Sequence, residues 1–175
     1  MQEPNEFGPS IENSLIQFAN TLWQRRHVKD ALMQWQTAFD ADINLLITLC
    51  WLGQHGASIE DLLLWPELVA ISDRWQACLQ PLRASREQMK TMDEHLYQDY
   101  LQLELKTEYK ELDELFRFSQ NLSSGSQTGF SDAVPSSTES VPVHELLTHY
   151  LRHLQGDRTD HDSTAINDLV QALSR

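Results

Sequence analysis

The sequence predicts an all-α protein: a compact helical bundle of about five to six helices with a linker-tethered C-terminal helical tail. Three observations predict it. The run Asp42–Gly53 is apolar on every face, as in a helix surrounded by other helices. Apolar residues elsewhere recur at spacings of three and four. No alternating pattern of useful strand length interrupts them.

The elements follow in order. Residues 1–9 hold two prolines and a glycine and predict no regular structure. Ser10 is an expected N-cap. Leu15, Phe18, Ala19 and Leu22 then form a stripe, and Arg25-Arg26-His27 is expected to close this first helix with positive charge. Val28, Ala31, Leu32, Trp35 and Ala38 mark a second helix, and Asp40-Ala41-Asp42 a turn. Asp42 is expected to cap the central helix and Asn44 to be buried and bonded to another segment. Gly53 and Gly56 end that helix, with Gly56 suited to a left-handed cap.

Ser58 is expected to cap a short helix over 59–64, and Pro66 to open a longer one, because proline is tolerated in a first turn. Pro81 predicts a kink or a fresh start. Residues 82–122 contain neither glycine nor proline. A single helix there would be roughly 60 Å long at 1.5 Å per residue, so a break near Tyr97–Tyr100 is an equal expectation. Residues 119–141 carry eight serines, two glycines and Pro135, the composition of a flexible linker. Helical spacing resumes at Val143, Leu146, Leu147, Tyr150, Leu151 and Leu154, and again over Thr164–Leu173. The division is therefore a helical core domain over 10–118, a linker over 119–141 and an amphipathic tail over 142–175.

Composition narrows the function classes. The net charge of −13 argues against a nucleic-acid binder, which needs a broad basic surface. The longest apolar run is about half of the ~20 residues a membrane span requires. The acidic, polar start does not resemble a secretory signal. These features predict an acidic cytoplasmic protein with no membrane role. Cys50 and Cys78 both fall in apolar helical patterns and are expected to be buried free thiols.

Several residue sets are candidates for function. Asp42 and Asn44 open the central helix, where capping and internal hydrogen bonds compete with a ligand role. Arg83, Arg86 and Lys90 share a helix face, where pairing with the many acids competes with an anion or acidic-partner site. Glu145, His149 and His153 form a row at spacings of four, a weak candidate set for a transition metal. The five tryptophans read as core residues, and acids such as Glu111, Asp113 and Glu114 as a solvated face. No Gly-rich phosphate loop, nucleophile elbow or CxxC pair is present. The expectation is no catalytic residues, no cofactor and no established metal site.

Leu22-Trp23, Asp42-x-Asn44-Leu45-Leu46, Leu49-Cys50-Trp51-Leu52 and Pro81-Leu82-Arg83-x-x-Arg86-x-x-x-Lys90 together resemble a family of uncharacterised proteobacterial proteins. The resemblance covers roughly residues 10–115. It implies a shared N-terminal helical core, a variable C-terminal region and a bacterial cytoplasmic setting, and it brings no activity.

Three readings follow. The leading one is a non-catalytic interaction or regulatory module with an unidentified protein partner. The alternative is a small-ligand or anion-binding protein or enzyme, with a pocket near Asp42/Asn44 and Arg83/Arg86/Lys90. The third is a metal-responsive protein using the tail histidines. A pocket joining the Asn44 helix start to Arg83 favours the second over the first.

Overall fold

The structure is a computed structural model that describes residues 13–57, 65–123, 141–156 and 163–174. The described residues form seven α-helices: α1 (Ser14–Gln24), α2 (Arg26–Phe39), α3 (Ile43–Gln54), α4 (Trp65–Met89), α5 (Glu94–Ser123), α6 (Val141–Gln155) and α7 (Ser163–Leu173). The fold is an all-α bundle, as the apolar spacing predicts. The expected Ser10 cap and the expected helix over 59–64 lie outside the described residues.

Helix α3 is the hub. Every residue from Asn44 to Gly53 is buried, and α3 packs against α1, α2, α4, α5 and α6. Asp42 caps it, its carboxylate accepting from the Asn44 backbone N–H at 2.9 Å. Gly56 follows its last turn with φ +80°, a conformation that glycine adopts without a Cβ penalty. Gly53 serves a different purpose from the helix stop its sequence suggests. A Cβ there would lie 2.7 Å from the Val143 backbone, so this glycine permits the close approach of α6.

Whether the tail docks on the core was open in the sequence. It does dock: Val143, Leu146, Leu147, Tyr150 and Leu151 of α6, and Ala165, Ile166 and Leu169 of α7, belong to one buried cluster with α1–α3. The break in composition after residue 118 therefore divides the sequence without dividing the core. Helix α5 also continues to Ser123, so the expected linker begins in helix, and residues 124–140 lie outside the described set.

Other expectations need correction. Arg25 ends α1, and Arg26 and His27 open α2. Arg25 does bond a helix C-terminus, but that of α7: its Nη2 donates to the Ala172 and Leu173 carbonyls at 3.1 and 3.3 Å. His27 Nε2 lies 3.1 Å from the same Ala172 oxygen. The break in 82–122 falls at Lys90–Asp93, where Asp93 accepts from the Leu96 N–H, earlier than Tyr97–Tyr100. Pro81 sits exposed inside an unbroken α4. Ion pairs to α5 on both sides of it, Arg74–Glu114 and Arg83–Glu104, hold the two helices together across that point. Cys50 is buried as expected, and burial pushes its thiol up to about 12. Cys78 is exposed, contrary to its apolar helical pattern. Trp23 is also partly exposed, with Lys29 Nζ 5.7 Å from its ring centroid.

Candidate functional site

Two stripes face each other across the α4–α5 hairpin. On α4, Ser72, Gln76, Leu79, Arg83 and Arg86 recur at spacings of four and three. On α5, Leu101, Glu104, Glu108, Glu111 and Leu115 do the same. At these positions a bundle normally places apolar residues. Here the middle of each stripe is polar, and the two sets pair. Arg83 donates through Nε to Glu104 at 3.2 Å, through Nη2 to Glu108 at 2.8 Å, and through Nη1 to Gln76 at 3.1 Å. Arg86 lies 3.1 Å from the second Glu104 oxygen and 3.1 Å from Glu87.

The first turn of α3 enters this layer from the side. Asn44 Nδ2 donates to Glu111 at 2.7 Å and more weakly to the Glu108 carbonyl at 3.4 Å. Ser72 Oγ donates to the Asp42 carboxylate. The Asp42 backbone N–H donates to Tyr150 Oη at 2.8 Å, which ties α6 to the same point. Thus α3, α4, α5 and α6 each contribute a polar group to one cluster.

Burial shapes its charges. Glu111 is fully buried, and its carboxyl is pushed up to about 10, first by burial and then by the neighbouring Asp42. Burial also raises Glu108, against the pull of Arg83. Burial alone would lower Arg83, but hydrogen bonds and charge from Glu108 and Glu104 outweigh it and hold the guanidinium above its ordinary value. Tyr150 is held well above the usual phenol range by burial and by Asp42.

A cleft opens over the cluster in two lobes of about 510 and 520 Å³. Gln36, Asp42 and Arg83 line both. One lobe continues past Ser72 and Gln76 to Tyr150 and His153. The other runs over Asn44, Arg86, Glu104 and Glu108 to a rim of Trp23, Met33 and Leu101. Volumes of this size suit a small molecule.

The structure brings together four of the five expected binding residues: Asp42, Asn44, Arg83 and Arg86. Lys90 lies apart, exposed in the turn after α4 and outside the cleft lining. Arg83 and Arg86 are committed to carboxylates, which matches the pairing alternative for that row. The tail row does not converge on one point. His149 and His153 pack edge-on against Trp65, with ring centroids 4.9 and 5.5 Å away, while Glu145 is exposed. Burial, then His153 and Arg152, lower the His149 imidazole. No group of three potential metal ligands occurs among the described residues.

Sequence reasoning missed Glu104, Glu108, Glu111, Ser72 and Tyr150. Glu111 and Asp113, taken for a solvated face, are buried. Glu114 beside them accepts from Trp75 Nε1 at 2.8 Å. The available signal was three glutamates in register with Leu101 and Leu115 on an apolar stripe.

No helix among the described residues is long and apolar enough to cross a membrane. No curated protein and no solved structure matches the chain. Residues 14–115, more than half of the chain, match a family described as protein of unknown function. That stretch runs from α1 into α5 and holds the whole polar layer except Tyr150. On this match, the chain belongs to the DUF2390 family.

Proposed function

We propose that this protein binds a small polar molecule in the cleft over the Asp42–Asn44–Arg83–Glu104–Glu108 cluster. One observation carries the reading: side chains from three helices converge as hydrogen-bonding groups on one concavity that joins the start of α3 to Arg83. Buried polar layers cost stability relative to apolar packing, so a layer that also lines a cleft is better accounted for by binding than by folding. Apolar Trp23, Met33 and Leu101 at the rim and charged groups below suit a ligand with one apolar and one polar end. Binding requires no chemistry, and no reaction is assigned to the cleft. The reading sets the protein in the cytoplasm, where its two free thiols stay reduced.

The test is a thermal-shift screen of small polar metabolites, with native mass spectrometry of the purified chain. A hit should lose about tenfold or more in affinity in Gln36→Ala and Trp23→Ala, each removing a side chain that lines the cleft, and about tenfold corresponds to 1.4 kcal/mol. A screen without hits, or hits indifferent to both variants, contradicts the reading.

A second reading, a protein-interaction module, is favoured by Met92, Leu96 and Leu103, which are 73%, 45% and 48% exposed near the turn of the α4–α5 hairpin. Met92→Ser with Leu96→Ser should abolish capture of a partner if that surface binds one, and unchanged capture would contradict it.

A further inference from the structure

Glu111 is the one fully buried acid in the polar layer to which no arginine or lysine is paired among the described residues. Asn44 satisfies its Oε2 at 2.7 Å. Its Oε1 is buried and accepts from no donor. Asp42 stands beside it, and the two carboxyls interact directly. Among the described residues Asp42 itself accepts from neutral donors, the Asn44 N–H and the Ser72 hydroxyl. Two carboxylates in such contact, one of them fully buried and neither paired to a cation among the described residues, do not both ionise.

We propose that Asp42 and Glu111 form an acid pair holding one proton, carried on Glu111 Oε1 and donated to the Asp42 carboxylate. The proton removes the orphaned oxygen, because Oε1 becomes a donor with an acceptor facing it. Asp42, the other member of the pair, lines both lobes of the cleft. The pair therefore gives the cleft a group that can yield or accept one proton, a use that rests on the ligand-binding reading above. The pair itself does not rest on it.

The surroundings fix the direction of its pH dependence. Facing Glu111 are Asp42 at the head of α3, Glu108 on α5 itself, and Tyr150 on α6. From α4, Arg83 is spent on Glu104 and Glu108, and Asp73 adds only further negative charge nearby. The folded chain retains a proton that the unfolded chain releases near the ordinary value of 4.5, because burial and the Asp42 carboxyl raise Glu111 well above that value. This group therefore supports the fold fully below about pH 4.5, and its support drains as pH rises above it.

Infrared spectroscopy of the full-length, unliganded protein tests the pair. At pH 7 we expect a protonated-carboxyl C=O band that shifts on selective ¹³C labelling of glutamate and is absent in Glu111→Gln. Absence of any protonated glutamate band in the wild type overturns the proposal and needs no variant. Persistence of the band in Glu111→Gln overturns the assignment. A second arm follows melting temperature. Glutamine mimics the protonated acid in shape and can donate to Asp42, so Glu111→Gln should gain on the wild type from pH 5 to pH 9. A wild type that gains on the variant over that range contradicts the pair. Neither arm uses a ligand, so an empty ligand screen leaves the pair standing, and loss of the pair leaves the cleft reading standing.

Discussion

At the last turn of α3, Gly53 lets α6 approach until even a methyl group would strike the Val143 backbone. At its first turn, nine residues earlier in the same helix, Asn44 meets Glu111 in a layer of paired arginines and glutamates beneath an open cleft. One end is close-packed and apolar, with Leu49, Leu52, Leu146 and Leu147 fully buried. The other is polar, satisfied in all but a few atoms, and accessible from one side. The difference teaches where the stability of this molecule resides. Apolar burial gives a net gain that does not depend on fine geometry, whereas a buried charged layer at best offsets its own desolvation. On this reasoning the apolar α3–α6 contact should contribute more to stability than the polar layer between α3, α4 and α5.

Removing the apolar side altogether should have the largest effect. Truncation after Ser123 deletes α6 and α7 and uncovers the faces of α2 and α3 that they bury. A fully buried Leu or Ile contributes about 1.5–3 kcal/mol, against a total stability of about 5–15 kcal/mol for a domain. The fragment should lose cooperative thermal unfolding. A sharp transition in calorimetry would show that the tail is an accessory after all.

A smaller change at the same contact sharpens the point. Gly53→Ala places a Cβ against the Val143 backbone, which cannot swing aside like a flexible side chain. Overpacking of this kind costs about 1–3 kcal/mol, and urea denaturation at pH 7 measures it. An unchanged midpoint would mean that α6 slides at little cost.

On the polar side the expected effects are smaller. Asp42→Ala removes the cap of α3 and the acceptor for Ser72, for about 0.5–2 kcal/mol. The same denaturation series reads it, and a loss above that range would mean that Asp42 carries more of the fold than a cap does. The two thiols offer a check with no energetic cost. Cys78 is exposed and Cys50 is buried with its thiol held near 12, so a thiol reagent at pH 8 should label one fast and the other slowly. Equal rates would contradict the packing around α3.

The apolar end was legible in the sequence and most of the polar end was not, for a physical reason. A run with apolar residues on every face, such as Ile43–Leu52, reports its own burial, and Asp42 and Asn44 stand where a cap and a buried amide are recognisable from one helix alone. Glu104, Glu108 and Glu111 take their meaning from Arg83 and Asn44, which lie on other helices. Without those partners a glutamate at three-four spacing reads as a solvated residue. Arg25 is similar: it was recognisable as a charge for a helix C-terminus, but that terminus belongs to α7, far along the chain. Trp23 was read as core because it stands beside the apolar stripe of the first helix, while its place at the cleft is set by α2 and the α4–α5 hairpin, which line the same cleft.

The central claim is that the polar layer serves the cleft and the fold pays for it. A double-mutant cycle on Asn44 and Glu111 tests this most directly, by chemical denaturation of the full-length chain. Asn44→Leu alone strands the Glu111 carboxyl, and Glu111→Leu alone strands the Asn44 amide, so each should cost about 1–3 kcal/mol. The double variant removes both polar groups together and puts apolar side chains in their place. The account predicts a double variant within about 1 kcal/mol of wild type or above it, as for other buried polar groups replaced as a set. A double variant whose loss equals the sum of the two single losses would contradict it, and would make the layer part of what holds the bundle together.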